Sequence, residues 1–196
     1  MAVIAVDHGQ LAVIVTRLAM TARPRPAPLP TAPLRLVRWA APSLARYRTL
    51  FRRVGEPWLW FSRLVLDDGA LGAIITDPAV EIYAVVDRAG VEVGMVELDF
   101  RALPACAIAY FALVPELTGQ QLGRWLMAEA LMRAWRKGVD RVWLHTCTLD
   151  HPSALNFYRA CGFVATERRI ETFADPRLSG LINRAAAPQV PLLDAS

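Results

Sequence analysis

Five prolines, Pro24, Pro26, Pro28, Pro30 and Pro33, fall inside ten residues. Each locks its own φ and lacks a backbone N–H, so neither a helix nor a central strand can run through 24–33. This stretch is read as a linker that divides the chain. Before it lies a short extension, 1–23; after it one domain is expected at 34–173, followed by an irregular tail, 174–196, that carries Pro176, Pro188 and Pro191. The chain has 196 residues, 55% hydrophobic and 20% charged, which is too apolar for a disordered chain and long enough for a single core.

In the N-terminal extension Asp7-His8-Gly9-Gln10 cuts the apolar run in two, and no basic residues precede it. It therefore reads as a β-hairpin, one strand to about Val6 and a second from Leu11, rather than as a signal peptide. No stretch reaches the roughly 18 uninterrupted apolar residues of a membrane helix, so no membrane partner is expected. Lys and Arg number 22 against 18 Asp and Glu, a net charge of +4 that is scattered apart from Arg52-Arg53 and Arg136-Lys137. Nucleic acid is not the expected partner. The three cysteines, Cys106, Cys147 and Cys161, show no CxxC spacing, which points to a reducing cytoplasm and to neither a disulfide framework nor a zinc knuckle.

After the linker, Leu34 to Trp39 reads as a strand, then a helix capped by Ser43 and ending at Gly55, and a second helical stretch over about Pro57 to Asp77, broken at Asp67-Asp68-Gly69. The period then changes. Glu81 to Val86 and Val91 to Arg101 flank the turn Asp87-Arg88-Ala89-Gly90, and Ala105 to Val114 is a third β-run. A long helix after Pro115 carries Leu122, Leu126, Ala130 and Ala134 on one stripe and stops at Gly138. Arg141 to Cys147 is a strand, Pro152 to Ala160 a short helix, and Phe163 to Phe173 a last strand. The order predicts an α+β fold: a mixed, mostly antiparallel sheet flanked by helices.

Two segments carry chemistry. In Leu113-Val-Pro-Glu-Leu-Thr-Gly-Gln-Gln-Leu-Gly-Arg-Trp-Leu126 a strand ends, two glycines follow, and a helix begins. Amides at such a helix start lack intrahelical partners and lie at the positive end of the dipole, so they suit a phosphate. A capping box from Thr118 and Gln121 would satisfy the same amides without any ligand. The second segment is His145-Thr-Cys-Thr-Leu-Asp-His-Pro-Ser-Ala-Leu-Asn-Phe-Tyr-Arg-Ala-Cys-Gly-Phe163. His145, Cys147, Asp150 and His151 there invite a metal or thiol reading, but strand burial and the capping role open to Asp150 and His151 argue against it, and no metal is expected. Trp58 and Trp60, at i and i+2, cannot share one helical face, so one is free to face a cleft, although core packing explains both.

In this order and at this separation the two segments resemble the GCN5-related N-acetyltransferases, over about 34–173. Leu113 and Pro115 match the family's strand end, Gly119 and Gly123 its loop glycines, Ala154 its small helix residue, and Tyr158 the tyrosine before Gly162-Phe163. Thr118, Gln121 and His151 depart from its pattern, where Arg or Gln, Gly, and Asn are usual; weakened cofactor affinity is the expected consequence. The resemblance implies acetyl-CoA as co-substrate in a cleft where two parallel strands splay. Phe111, Ala112 and Leu113 would pair with pantetheine, the loop Gly119, Gln120, Gln121, Leu122, Gly123 and Arg124 would hold the pyrophosphate, and His151 and Tyr158 would complete the site. A small-molecule or peptide amine would attack the thioester directly in a ternary complex. Tyr158 is the candidate acid for the leaving thiolate and Glu97 the first candidate base, with His145 and His151 as alternatives. Trp58, Trp60 and Phe61 lie where the family builds its acceptor pocket. A homodimer suits the scaffold, and a non-catalytic CoA-binding or regulatory module on the same fold stays open.

Overall fold

The computed structural model describes residues 3–25 and 28–194. Its strands are β1 (Gln10–Met20), β2 (Arg35–Trp39), β3 (Val80–Val86), β4 (Glu92–Asp99), β5 (Ala105–Leu113), β6 (Arg141–Cys147) and β7 (Val164–Ala174). Its helices are α1 (Leu44–Gly55), α2 (Asp68–Ile75), α3 (Leu122–Ala134) and α4 (Ala154–Ala160). Among the described residues the strands form one sheet in the order β2-β3-β4-β5-β6-β1-β7. Every pairing is antiparallel except β5 with β6. This is the mixed, mostly antiparallel α+β fold expected.

Local chemistry accounts for most of the elements. The Ser43 hydroxyl accepts the Arg46 N–H at 3.3 Å and starts α1; the Asp67 carboxylate accepts the Ala70 N–H at 2.7 Å and starts α2. Asp87 accepts from the amides of Ala89 and Val91, both at 2.9 Å, and closes the turn between β3 and β4, where Gly90 takes φ +84°. β3 is buried throughout and β4 nearly so, which a strand achieves only when both faces are covered. α1 packs on β4 and β5, and α3 packs on β5 and β4, with Leu122, Leu126, Ala130 and Ala134 all in the core.

Three sequence expectations are corrected. The extension is not a hairpin: 3–7 contain no strand, and β1 is an interior strand, paired from Val15↔Cys147 to Met20↔Val142 with β6 and from Gln10↔Ala174 to Ala19↔Val164 with β7. The backbone groups that a hairpin would use bond the C-terminal segment instead, Gly9 N–H to the Leu193 carbonyl at 3.1 Å and Asp175 N–H to the Gly9 carbonyl at 2.8 Å. The second helical stretch shortens to a 3-10 turn, Glu56–Trp58, and to α2; between them Leu59 turns left-handed at φ 55° and the Trp60 N–H returns to the Gly55 carbonyl at 3.0 Å. α3 starts at Leu122, after a 3-10 turn at Pro115–Leu117, and ends at Ala134, short of the Arg136-Lys137 pair.

Among the described residues the C-terminal segment beyond β7 has no helix or strand, yet it is fastened. Asp175 and Arg177, each 3% exposed, form an ion pair of 2.6 Å, and the Arg177 guanidinium also donates to the carbonyls of Ala186 and Val190. Arg52 donates to the Leu181 carbonyl at 2.6 Å, Asn183 N–H to Glu56 at 3.1 Å, and Gln189 to the Pro57 carbonyl at 3.0 Å. The segment thus covers the end of α1.

Candidate active site

The parallel pairing of β5 and β6 runs from Ala105↔Arg141 to Ala107↔Trp143 and then stops, while β5 stays paired with β4 out to Leu113. The β4–β5 register skips Ala109, a bulge between Glu97/Tyr110 and Leu98/Ile108 that bends β5 away from β6. Past this point one edge of β5 has no neighbour. Val114 N–H donates to the Val93 carbonyl at 2.9 Å, so alternation along the strand turns the N–H groups of Phe111 and Leu113 to the open edge. Gly94 permits the close β4 contact that holds β5 here: a Cβ on it would lie 2.6 Å from the Ala112 carbonyl oxygen.

A cleft of about 670 Å³ fills the gap between the strands. Phe111, Ala112 and Leu113 line one wall; Gly119, Gln121, Leu122, Gly123 and Arg124 line the end at α3; His151 and Tyr158 close the α4 side. These are ten of the residues expected to hold the cofactor. Gln120 is the exception: it is absent from the lining, and its amide donates to the Glu116 carbonyl at 3.1 Å.

The first turn of α3 settles the capping question. Gln121 is the N-cap residue in the left-handed region, φ 59° and ψ 6°, and among the described residues no side chain caps the helix. The Thr118/Gln121 capping box does not form, because the helix begins one residue after Gln121 rather than one after Thr118. The Leu122 and Gly123 amides have no acceptor among the described residues and lie at the cleft, whereas the Arg124 N–H donates to the Gln121 carbonyl at 3.1 Å; Gly119 at φ +81° shapes the approach, with the exposed Arg124 side chain beside it. Gly123 packs beside Phe157, whose ring lies at ordinary contact distance, 3.5 Å, from the position of a Cβ there.

His151, placed where the family has Asn, has its Nδ1 engaged by Ser153, 3.2 Å from the amide N–H and 2.7 Å from the hydroxyl. An N–H donating to Nδ1 makes that nitrogen the acceptor, so the neutral ring carries its proton on Nε2. The ring keeps a donor, as the amide of Asn would.

Tyr158 sits among Phe111, Phe157 and Phe163, with ring centroids 6.2, 5.5 and 6.4 Å away. Its hydroxyl has no hydrogen-bond partner among the described residues. Burial, then the nearby Asp150 carboxylate, push the phenol well above its ordinary value, so it is protonated at neutral pH.

Glu97 is corrected as a base. Alternation does turn it away from Val96 and Leu98, but α1 covers that face. It has no exposed surface, and its oxygens accept the Tyr47 hydroxyl and an Arg63 N–H, both at 2.6 Å. It does not line the cleft. His145 does, exposed on β6. Cys147 lines the cleft too, but burial and then Asp150 raise its thiol to about 11, which leaves almost no nucleophilic thiolate at neutral pH. Among the described residues no group of three His, Cys, Asp or Glu side chains could hold a metal ion.

The acceptor side holds residues of different legibility. Trp58, Trp60 and Phe61 all line the cleft, so the choice of one tryptophan over the other falls away: the turn at Leu59 presents both. Tyr110, hydrogen-bonded to Ser62 at 2.7 Å, and Glu171 and Phe173 of β7 also line it and were not singled out as site residues. Nothing local marks β7, the edge strand beyond β1. Asp150 is no helix cap either. It turns back onto β6, accepting the Thr146 hydroxyl at 2.7 Å, the Cys147 N–H at 2.9 Å and the Trp60 indole N–H at 3.3 Å. A second, shallower cavity of about 690 Å³ lies between α1 and the C-terminal segment and shares Trp58 and His151 with the cleft; it includes neither the strand gap nor the α3 amides.

Residues 41–163 match the family model described as the acetyltransferase (GNAT) family. Among curated proteins no relative matches the chain. Of the solved structures, a GCN5-related N-acetyltransferase from Sphaerobacter thermophilus is similar at 21% identity and TM-score 0.59, over 82% of this chain and 51% of its own. A functionally unknown conserved protein from Staphylococcus epidermidis is similar at 13% identity and TM-score 0.56, over 85% and 63%. An aminoglycoside acetyltransferase from an uncultured soil metagenomic sample, solved in complex with sisomicin, is similar at 17% identity and TM-score 0.56, over 71% and 93%. The chain thus spans about half of the first of these proteins and under two thirds of the second, and at these identities the likeness is one of fold. With the family model covering most of the domain and the parted strands beside the α3 turn, the chain belongs to the GNAT family of acetyltransferases.

Proposed function

We propose that the protein is an acetyl-CoA-dependent N-acetyltransferase that passes the acetyl group directly to a primary amine in a ternary complex. The observation that carries this reading is the parting of β5 from β6 after Ala107 beside an α3 start that no side chain caps. Acetyl-CoA supplies an activated thioester carbonyl. The α3 amides and Arg124 bind the diphosphate, and the open edge of β5 offers the Phe111 and Leu113 peptide groups to the pantetheine amides. His151 donates from Nε2 to the same arm. A peptide N–H at the Leu113 end of this edge steadies the oxyanion that develops as the amine nitrogen attacks. The bound ammonium first gives one proton to water, freeing the nitrogen lone pair; the C–N bond then forms and the C–S bond breaks, Tyr158 donates its proton to the thiolate, and the proton shed by the new amide nitrogen returns through solvent to Tyr158. The burial that raises the phenol acts on the leaving thiol as well, so the two stay within range for proton transfer. Three free cysteines suit a reducing compartment, and on that ground we assign the protein to the cytoplasm.

Thermal denaturation with acetyl-CoA at about 100 times its dissociation constant should add ~2.7 kcal/mol of stability; no shift would remove the reading. Thiol release across an amine panel then tests turnover. Tyr158→Phe should lower it about a hundredfold or more with acetyl-CoA binding intact, and an unchanged rate would refute the acid role. Binding without any thiol release would mark the chain as a CoA-binding module.

A further inference from the structure

We infer that the acceptor is a compact primary amine on an aromatic body, its ammonium received by Asp150. This rests on the transferase reading and names the substrate class of the same site. The half of the cleft away from α3 is walled by Trp58, Trp60, Phe61, Tyr110 and Phe173. The wall is internally braced: Phe61 stacks near Phe173 at 4.8 Å between centroids, Trp60 near Tyr110 at 5.2 Å, and Phe51 supports both Trp60 and Tyr110 at 5.7 and 4.9 Å. Such a wall offers area for an apolar ring and few partners for hydroxyl groups, whose burial without hydrogen bonds is costly.

Two carboxylates line the cleft, Asp150 and Glu171; Glu171 shares one oxygen with the exposed Arg169 at 2.7 Å, whereas Asp150 is held by donors from within the fold. Asp150 accepts two hydrogen bonds on Oδ2, from Thr146 and Cys147, and one on Oδ1, from the Trp60 indole. A carboxylate oxygen accepts about two, so Oδ1 retains one position, on the Trp60 side of the cleft. An ammonium placed there meets a negative charge beside the edge of the Trp60 ring. Asp150 and Tyr158 line the same cleft. The cleft of about 670 Å³ must hold the thioester arm as well, so the acceptor is small. A polyamine sugar, with several ammonium groups and many hydroxyls, finds two carboxylates, one of them shared with Arg169, and an aromatic wall.

The test is a comparison of phenethylamine, tryptamine, butylamine, glucosamine, kanamycin and a lysine peptide, by calorimetric binding in the presence of CoA and by kcat/KM with acetyl-CoA. The two arylalkylamines should bind, and exceed every other acceptor by tenfold or more in kcat/KM. Asp150→Asn should raise the KM for phenethylamine at least tenfold while the dissociation constant for CoA stays unchanged. Since Asp150 also ties down the end of β6, Phe173→Ser provides a second probe: it should bring the phenethylamine to butylamine ratio close to one. Equal or better use of glucosamine, kanamycin or the peptide overturns the proposal and leaves the transferase reading standing. An unchanged ratio in Phe173→Ser with an unchanged KM in Asp150→Asn overturns it as well. Acetyl-CoA binding with no transfer to any of the six overturns both.

Discussion

Glu97 looks catalytic in the sequence because strand alternation turns it to the face opposite Val96 and Leu98, and it acts instead as the anchor of a buried triad. Tyr47 and Arg63 both reach it, and the guanidinium, only 14% exposed at its side chain, has no other carboxylate partner among the described residues. Burial and then Glu97 raise the Tyr47 phenol far above its ordinary value, so the hydroxyl stays a donor. Glu97→Ala would leave a buried cation unpaired, and should cost about 3–5 kcal/mol in denaturant-induced unfolding. A variant as stable as the parent would show that the triad contributes nothing. Asp150 is the opposite case. Its three donors come from β6 and, ninety residues earlier, from Trp60, so only the folded chain shows a carboxylate held open to the cleft.

Among the elements, the bend at Gly55 decides the acceptor wall. A Cβ on Gly55 would lie 2.6 Å from the Cβ of Trp60 and 2.7 Å from its ring, and the ring is itself pinned against Phe51 and Tyr110. Gly55→Ala should cost about 1–3 kcal/mol through overpacking and raise the amine KM, with acetyl-CoA affinity unchanged. A thermal midpoint and KM equal to the parent's would mean that the wall yields freely. The elements themselves were largely legible. Ser43, Asp67 and Asp87 act through side-chain bonds to amides two to four residues away, the β-rich runs of β3 to β5 are local, and the α3 stripe repeats every four residues. The left-handed turn at Leu59 carries no such mark, since leucine has no preference for it; the backbone bond to Gly55 and the packing of Trp60 impose it.

At the scale of the molecule, both chain ends build the sheet and its edge. β1 inserts between β6 and β7, and the C-terminal segment bonds Gly9, α1 and the turn after it. The buried pair Asp175–Arg177 holds that segment. Burial alone would raise the Asp175 carboxyl, but the hydrogen bonds from the Arg177 side chain and amide outweigh it and leave the group below its usual value; Asp99 beside Arg101 shows the same direction. A carboxyl lowered in the folded state stabilises fully above its unfolded value of about 3.9 and loses that contribution as pH falls through the folded value. Stability should therefore drop below about pH 4, and Asp175→Asn should be less stable at neutral pH, by about 3 kcal/mol, with a flatter acid limb. Parallel stability profiles of parent and variant between pH 2 and 7 (range set by the ordinary carboxylate pKa of about 3.9) would refute the clasp.

The sequence by itself determined the kinds of element, their order, and the loop-and-tyrosine motif that identifies the cleft, because caps, alternation and helical stripes act between residues a few positions apart. Tertiary structure alone decided that β1 is interior, that Glu97 is shut behind α1, and that Asp150 and Phe173 meet the aromatic wall. Those outcomes depend on which strands become neighbours and which buried charges find a partner, contacts between residues tens of positions apart that leave no local pattern along the chain.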